Sequence, residues 1–159
     1  MSKAILIIGE SGSGKTTSMR NLNPKETFYI DCDKKGLSWK GWREQYNANN
    51  KNYIVNSNPD KIKETLLKIN TEQKHIKNVI IDTLNGIMID SEFARRKEKN
   101  YDKWEDLAVA VYDIAILANT LRDDLNIICT IHAQTERDDS GYYFTRAKTS
   151  GKKLDKIVL

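Results

Sequence analysis

The chain has 159 residues and a formal net charge of +4, which suits one domain, 1–159, able to bury roughly two thirds of its unfolded surface. That mild basicity admits an anionic partner without demanding a polyanion. No apolar run approaches about 18 residues and no export signal is visible, so nothing directs the chain to a membrane. Its two cysteines, Cys32 and Cys129, sit in apolar strand-like runs outside any C-x-x-C spacing. They read as reduced core residues of a cytoplasmic protein.

Ala4-Ile5-Leu6-Ile7-Ile8 is a short β-branched run of the kind that forms a strand buried on both faces. Gly9-Glu10-Ser11-Gly12-Ser13-Gly14-Lys15-Thr16 follows, in the G-x-x-x-x-G-K-T spacing of a phosphate-binding P-loop. Glycines let backbone N–H groups close around an anion. Lys15 can reach the β- and γ-phosphates, and the Thr16 hydroxyl suits Mg²⁺, a hard cation that prefers oxygen. Thr17 to Leu22 can form a short helix before Pro24. Strand, glycine loop and helix therefore come in the order that aims a positive helix end at phosphate.

Thr27-Phe28-Tyr29-Ile30 predicts a second strand ending in Asp31-Cys32-Asp33, carboxylates at the end where open α/β sheets carry their sites. Residues 34–52 are a polar excursion pinned by Trp39 and Trp42, whose indoles serve better as core anchors than as base-stacking platforms. Tyr53-Ile54-Val55 predicts a short strand. Asn58-Pro59 starts a helix with the apolar stripe Ile62, Leu66 and Ile69. Val79-Ile80-Ile81-Asp82-Thr83 is an apolar strand ending in an acid, the Walker B pattern, and places Asp82 on the Mg²⁺ that Thr16 also holds.

Asn85 to Lys99 predicts a helix with apolar Ile87, Ile89 and Phe93, closing in Arg95-Arg96-Lys97-Glu98-Lys99. That basic run is a solvated helix end or a contact patch for phosphate backbone. Asp102 and Glu105 form a capping box for a long core helix through Trp104, Leu107, Ala108, Val111, Ile114, Ala115, Ala118 and Leu121. Asn126 to Ile131 is another buried strand, with His132 at its end, level with the P-loop and Asp82 and so positioned as a γ-phosphate sensor. Thr135-Glu136-Arg137, the turn Asp139-Ser140-Gly141 and Tyr142-Tyr143-Phe144-Thr145 predict a hairpin. Arg146, Lys148, Lys152, Lys153 and Lys156 follow. Basic residues beside tyrosines suit a single-stranded nucleic-acid surface and equally an exposed hairpin.

The pattern leaves several reactions open. An AAA+ ATPase needs Glu after the Walker B Asp, where this chain has Thr83. A nucleotide kinase needs an arginine-bearing lid, and none is evident. RecA-like ATPases carry the acid after the second strand, where Asp33 stands. A nucleotide-gated interaction protein that hydrolyses ATP poorly is also compatible with these residues.

The segments Gly9 to Thr17, Leu22-Asn23-Pro24, Lys40-Gly41-Trp42 and Val79 to Asp82 resemble the RecA-like P-loop ATPases of bacteriophages. So do Phe93-Ala94-Arg95-Arg96, Tyr101-Asp102-Lys103, Leu121 to Leu125, His132 and Gly151 to Asp155. That group comprises phage nucleotide-binding or AAA-family ATPase proteins, some of them grouped with phage single-strand annealing proteins. The resemblance implies an α/β fold, a mostly parallel sheet with helices on both faces, and the His132 strand between the P-loop and Asp82 strands. It implies ATP with Mg²⁺, held by residues 9–17, Thr16 and Asp82, and Lys15, Asp33 and His132 as the catalytic set. It implies single-stranded DNA as partner through residues 133–156, in recombination or replication. A homo-oligomer is compatible with it, because Lys152 and Lys153 resemble residues that reach a neighbouring subunit's nucleotide in RecA-like filaments. Two departures stand out: Asp33 replaces the usual Glu, and relatives continue into further strands after the apolar Ile157-Val158-Leu159, so the chain reads as a shortened form.

Overall fold

The computed structural model describes residues 3–97 and 102–149, and only the backbone of 102–108. Glu98, Lys99, Tyr101, the side chains of Trp104, Leu107 and Ala108, and the basic residues Lys152, Lys153 and Lys156 lie outside the described residues.

Six strands form the sheet: β1 (Lys3–Gly9), β2 (Thr27–Asp31), β3 (Tyr53–Val55), β4 (Asn78–Asp82), β5 (Asn126–Arg137) and β6 (Tyr143–Ala147). The order is β1-β5-β4-β2-β3, all parallel, with β6 pairing antiparallel to the far end of β5. The fold class is α/β, as the alternation of apolar strands and amphipathic helices predicts. The strand carrying His132 lies between the other two site strands, as expected.

The helices are α1 (Lys15–Ser18), α2 (Trp42–Gln45), α3 (Pro59–Glu72), α4 (Leu84–Ala94) and α5 (Asp102–Thr120), and α1 runs on into a 3-10 turn at Met19–Asn21. They cover the sheet unequally. On one face, Ile62, Leu66 and Ile69 of α3, Ile87 and Met88 of α4, and Val111, Ile114 and Ala118 of α5 pack on Phe28, Ile30, Val79, Ile81, Ile127 and Ile131. On the other, Met19 and the 34–52 excursion pack on Tyr29, Ile80 and Ile128. Trp39 meets Tyr46 edge-on at 6.0 Å and Trp42 lies 5.2 Å from Tyr53, so both indoles anchor the excursion. Local signals set the α3 start: the Asn58 side chain accepts from the backbone N–H of Asp60 and Lys61, and Pro59 opens the first turn.

Three expectations are corrected. Among the described residues β1 is an edge strand rather than a strand buried on both faces: Ile5, Leu6 and Ile8 are 42%, 39% and 44% exposed. Its apolar run specified a strand but could not specify how many neighbours it has. The helix expected to reach Lys99 stops at Ala94, and Ile89 and Phe93 face outward while Ile87 is buried. β5 does not end at His132; it runs five residues further, to Arg137, where β6 pairs with it in the predicted hairpin.

Candidate phosphate-binding site

Parallel register brings the chemistry to one edge. Gly9 at the end of β1 is level with His132 of β5, and Asp31 at the end of β2 is level with Asp82 of β4. Strand alternation then points Tyr29, Asp82 and Thr130 to the face that carries α1. The P-loop arches over that face. Gly12 and Gly14 hold φ of 78° and 91°, left-handed values that a side chain resists.

A cavity of about 250 Å³ opens there, lined by Gly12, Lys15, Thr16, Asp33, Asp82 and His132 among others. Lys15 is buried, its Nζ donating to the carbonyls of Gly9 at 2.7 Å and Glu10 at 2.8 Å. Burial lowers its pKa against the opposing pull of Asp82 and Asp33. Its Nζ also lies 3.4 Å from His132 Nδ1, which must accept if Lys15 is charged, leaving the ring proton on Nε2. That Nε2 lies 3.9 Å from the Asp33 carboxylate. Burial first and Lys15 second lower the His132 pKa, so the ring is neutral near neutral pH.

Thr16 Oγ1 donates to Asp82 Oδ2 at 2.7 Å. Tyr29 Oη donates to the same oxygen, and Thr130 Oγ1 donates to Asp82 Oδ1 at 2.5 Å. The donor set of one hydroxyl and one oriented carboxylate fits Mg²⁺, which keeps several waters and takes its remaining ligands from substrate phosphates. It does not make a closed protein cage: among the described residues no cluster of three or more His, Cys, Asp or Glu could hold a metal alone.

The two acids after β2 have different environments. Asp31 is consumed by structure: Oδ1 accepts from the Lys34 N–H, and Oδ2 from the Gly36 N–H and Tyr53 Oη. Asp33 instead faces the cavity, steadied by two donors, Thr83 Oγ1 at 2.8 Å and Lys35 Nζ at 3.1 Å.

Four contributors escaped sequence reasoning: Tyr29, Thr83, Asn85 and Thr130. The Asn85 side chain accepts from the His132 N–H at 2.7 Å and donates to the Lys148 carbonyl at 2.8 Å, clasping the base of the hairpin. A Ser/Thr N-cap signal was available for Thr83, which caps α4. Gly86 was also overlooked: a Cβ there would meet the Cys32 carbonyl oxygen at 2.4 Å and Asp33 Oδ1 at 2.8 Å. Gly86→Ala is therefore expected to lower unfolding free energy by about 2 kcal/mol through overpacking, read by urea denaturation.

Residues 1–158 match the model of a family described as AAA domain. No curated protein matches the sequence. Among solved structures, the chain is similar to a KaiC-like protein of the hyperthermophilic archaeon Pyrococcus horikoshii, with 13% identity and a TM-score of 0.49. That match covers 82% of this chain and 61% of the archaeal one, less than two thirds of its length.

Proposed function

The chain belongs to the AAA domain family, and we propose that it is a RecA-like ATPase that binds and hydrolyses Mg²⁺-ATP and couples hydrolysis to single-stranded DNA. The observation that carries the nucleotide reading is the meeting of Thr16 and Asp82 at 2.7 Å beside Lys15 in one phosphate-sized cavity. The order β1-β5-β4 supports the RecA-like assignment.

In this reading the backbone N–H groups of residues 12–16 receive the phosphates, those of Lys15 and Thr16 in the first turn of α1 having no partner within the helix. Residues 9–17 wrap them, and Lys15 meets charge developing on the γ-phosphate and the bridging oxygen. Thr16 and Asp82 would hold Mg²⁺, which would supply neutralisation of phosphate charge. Asp33 orients the attacking water and takes its proton. The water oxygen bonds to the γ-phosphorus as the bridging oxygen departs with its electron pair on ADP.

His132 is suited to report the γ-phosphate because its backbone is held where the hairpin begins. Its carbonyl accepts from the Lys148 N–H at 2.6 Å, and Asn85 binds the same pair of residues. The hairpin exposes Tyr142, Tyr143 and Phe144, and the Arg137 guanidinium lies 5.5 Å from the Tyr143 ring centre. Exposed aromatics with cations suit stacked bases and phosphates. The phage setting, recombination or replication, and residues 150–156 as part of this surface rest on the sequence resemblance. A cytoplasmic setting suits the free Cys32 and Cys129; no described helix is long and apolar enough to cross a membrane.

Phosphate release from ATP, measured with and without single-stranded DNA, tests this reading. Stimulation by DNA that fades as salt rises is the expected result, since phosphate contacts release counterions. A nucleotide-gated interaction protein is the second reading, favoured by the exposed apolar edge of β1. ATP binding with negligible turnover, unchanged by DNA, would select it.

A further inference from the structure

We propose that Lys35 is a second, mobile cation of the site, which pairs with Asp33 in the nucleotide-free protein and moves onto the γ-phosphate when ATP binds. The inference rests on the ATP-binding reading above.

Two neighbouring lysines follow β2, and the backbone sorts them. Residues 31–36 form a tight turn in which the Asp31 carboxylate binds the N–H groups of Lys34 and Gly36, each at 2.8 Å. Lys34 and Gly36 take φ of 61° and 73°. This turn sends the Lys34 side chain away to an ion pair with Asp90 of α4, whereas Lys35 lines the same cavity as Lys15, Thr16 and Asp33.

The Lys35–Asp33 pair is built to be exchanged. Its separation is 3.1 Å, but the Lys35 side chain is 72% exposed and that of Asp33 only 15%. An ion pair with one partner so solvated holds weakly. A γ-phosphate entering the cavity carries more negative charge than one carboxylate and offers several acceptor oxygens, so it competes well for a flexible ammonium. Lys15 cannot serve every phosphate oxygen, because the Gly9 and Glu10 carbonyls anchor its Nζ.

The exchange has two consequences. It adds positive charge where the transition state gathers negative charge. It also frees Asp33 Oδ2 to take the proton of the attacking water, while Thr83 Oγ1 continues to hold Oδ1. Lys35 thereby makes the acid available only when a γ-phosphate is present.

The test compares the parent with Lys35→Ala and Lys35→Arg in binding to Mg²⁺-ADP and to a non-hydrolysable ATP analogue by calorimetry, alongside ATP turnover. For Lys35→Ala, ADP affinity should stay within about twofold while analogue affinity falls about tenfold and turnover about 10²-fold, with Arg restoring part of each. Equal weakening of both nucleotides that vanishes at high salt would reduce Lys35 to a steering charge and overturn the inference. So would unchanged binding and turnover. If the parent binds both ligands without turnover, the hydrolysis reading fails, and the analogue-to-ADP ratio alone decides the role of Lys35. If the parent binds neither, the ATP reading falls and this inference with it.

Discussion

Lys15→Ala is expected to abolish ATP hydrolysis, with phosphate release falling by at least about 10²- to 10³-fold, the scale of losing one preorganised electrostatic group. The expectation follows from where the ammonium sits. Lys15 is buried, at the base of the cavity, with two backbone carbonyls directing its Nζ and His132 beside it. Desolvation costs the charge some stability there, which lowers its pKa, yet the carboxylates of Asp82 and Asp33 keep it favourable. To meet the charge developing on the γ-phosphate the ammonium turns one of its three N–H donors from these partners to a phosphate oxygen, and alanine leaves that charge unmet. Phosphate release measured on equal amounts of folded parent and variant checks the outcome. Turnover unchanged within error would remove the basis for the whole ATPase reading, because no other buried lysine lines the cavity among the described residues.

The parts of this site that the sequence revealed are those whose chemistry is local. Gly9 to Thr16 carries its own backbone requirement, and Asp82 ends an apolar run, so both could be read from short segments. The hairpin at residues 135–145 was readable for the same reason: Asp139-Ser140-Gly141 is a turn between two strand-like runs. What was not readable depends on partners distant in the chain. Tyr29 reaches Asp82 across adjacent strands, 53 residues apart in sequence. Thr130 reaches it from the other side, 48 residues away. Neither shows a signal until the order β2-β4-β5 is known, although alternation along each strand then puts all three on one face. Exposure of β1 failed for a related reason. Ala4 to Ile8 has a composition suited to a central strand, but position in a sheet is decided by which other strands pair with it. Thr83 shows the reverse case. Its presence argued against an AAA+ Asp-Glu pair, and the structure gives it a different task, holding Asp33 by a 2.8 Å hydrogen bond.

That bond makes the distinction between Asp33 and Asp31 testable. Asp33→Asn should lower turnover by roughly 10²- to 10⁴-fold, the range of a lost general base, while nucleotide affinity stays within about threefold. The amide keeps an oxygen for the Thr83 hydroxyl but cannot accept a proton from water, so the Thr83 contact is retained while the Lys35 ion pair and the proton acceptor are lost. Asp31→Asn provides the contrast. That carboxylate is already bound to two backbone N–H groups and the Tyr53 hydroxyl, which leaves it no place in proton transfer. Its loss should loosen the 31–36 turn and lower the denaturation midpoint, with turnover falling only as far as the turn's disorder displaces Asp33 and Lys35. Single-turnover hydrolysis and equilibrium nucleotide binding, measured on both variants and on Glu10→Gln, separate these effects. Full turnover in Asp33→Asn, with loss in Asp31→Asn or Glu10→Gln at unchanged stability, would move the base to one of those acids. The turn would then act in catalysis through a carboxylate that two backbone N–H groups and the Tyr53 hydroxyl already occupy, and nucleotide binding would have to break those bonds first.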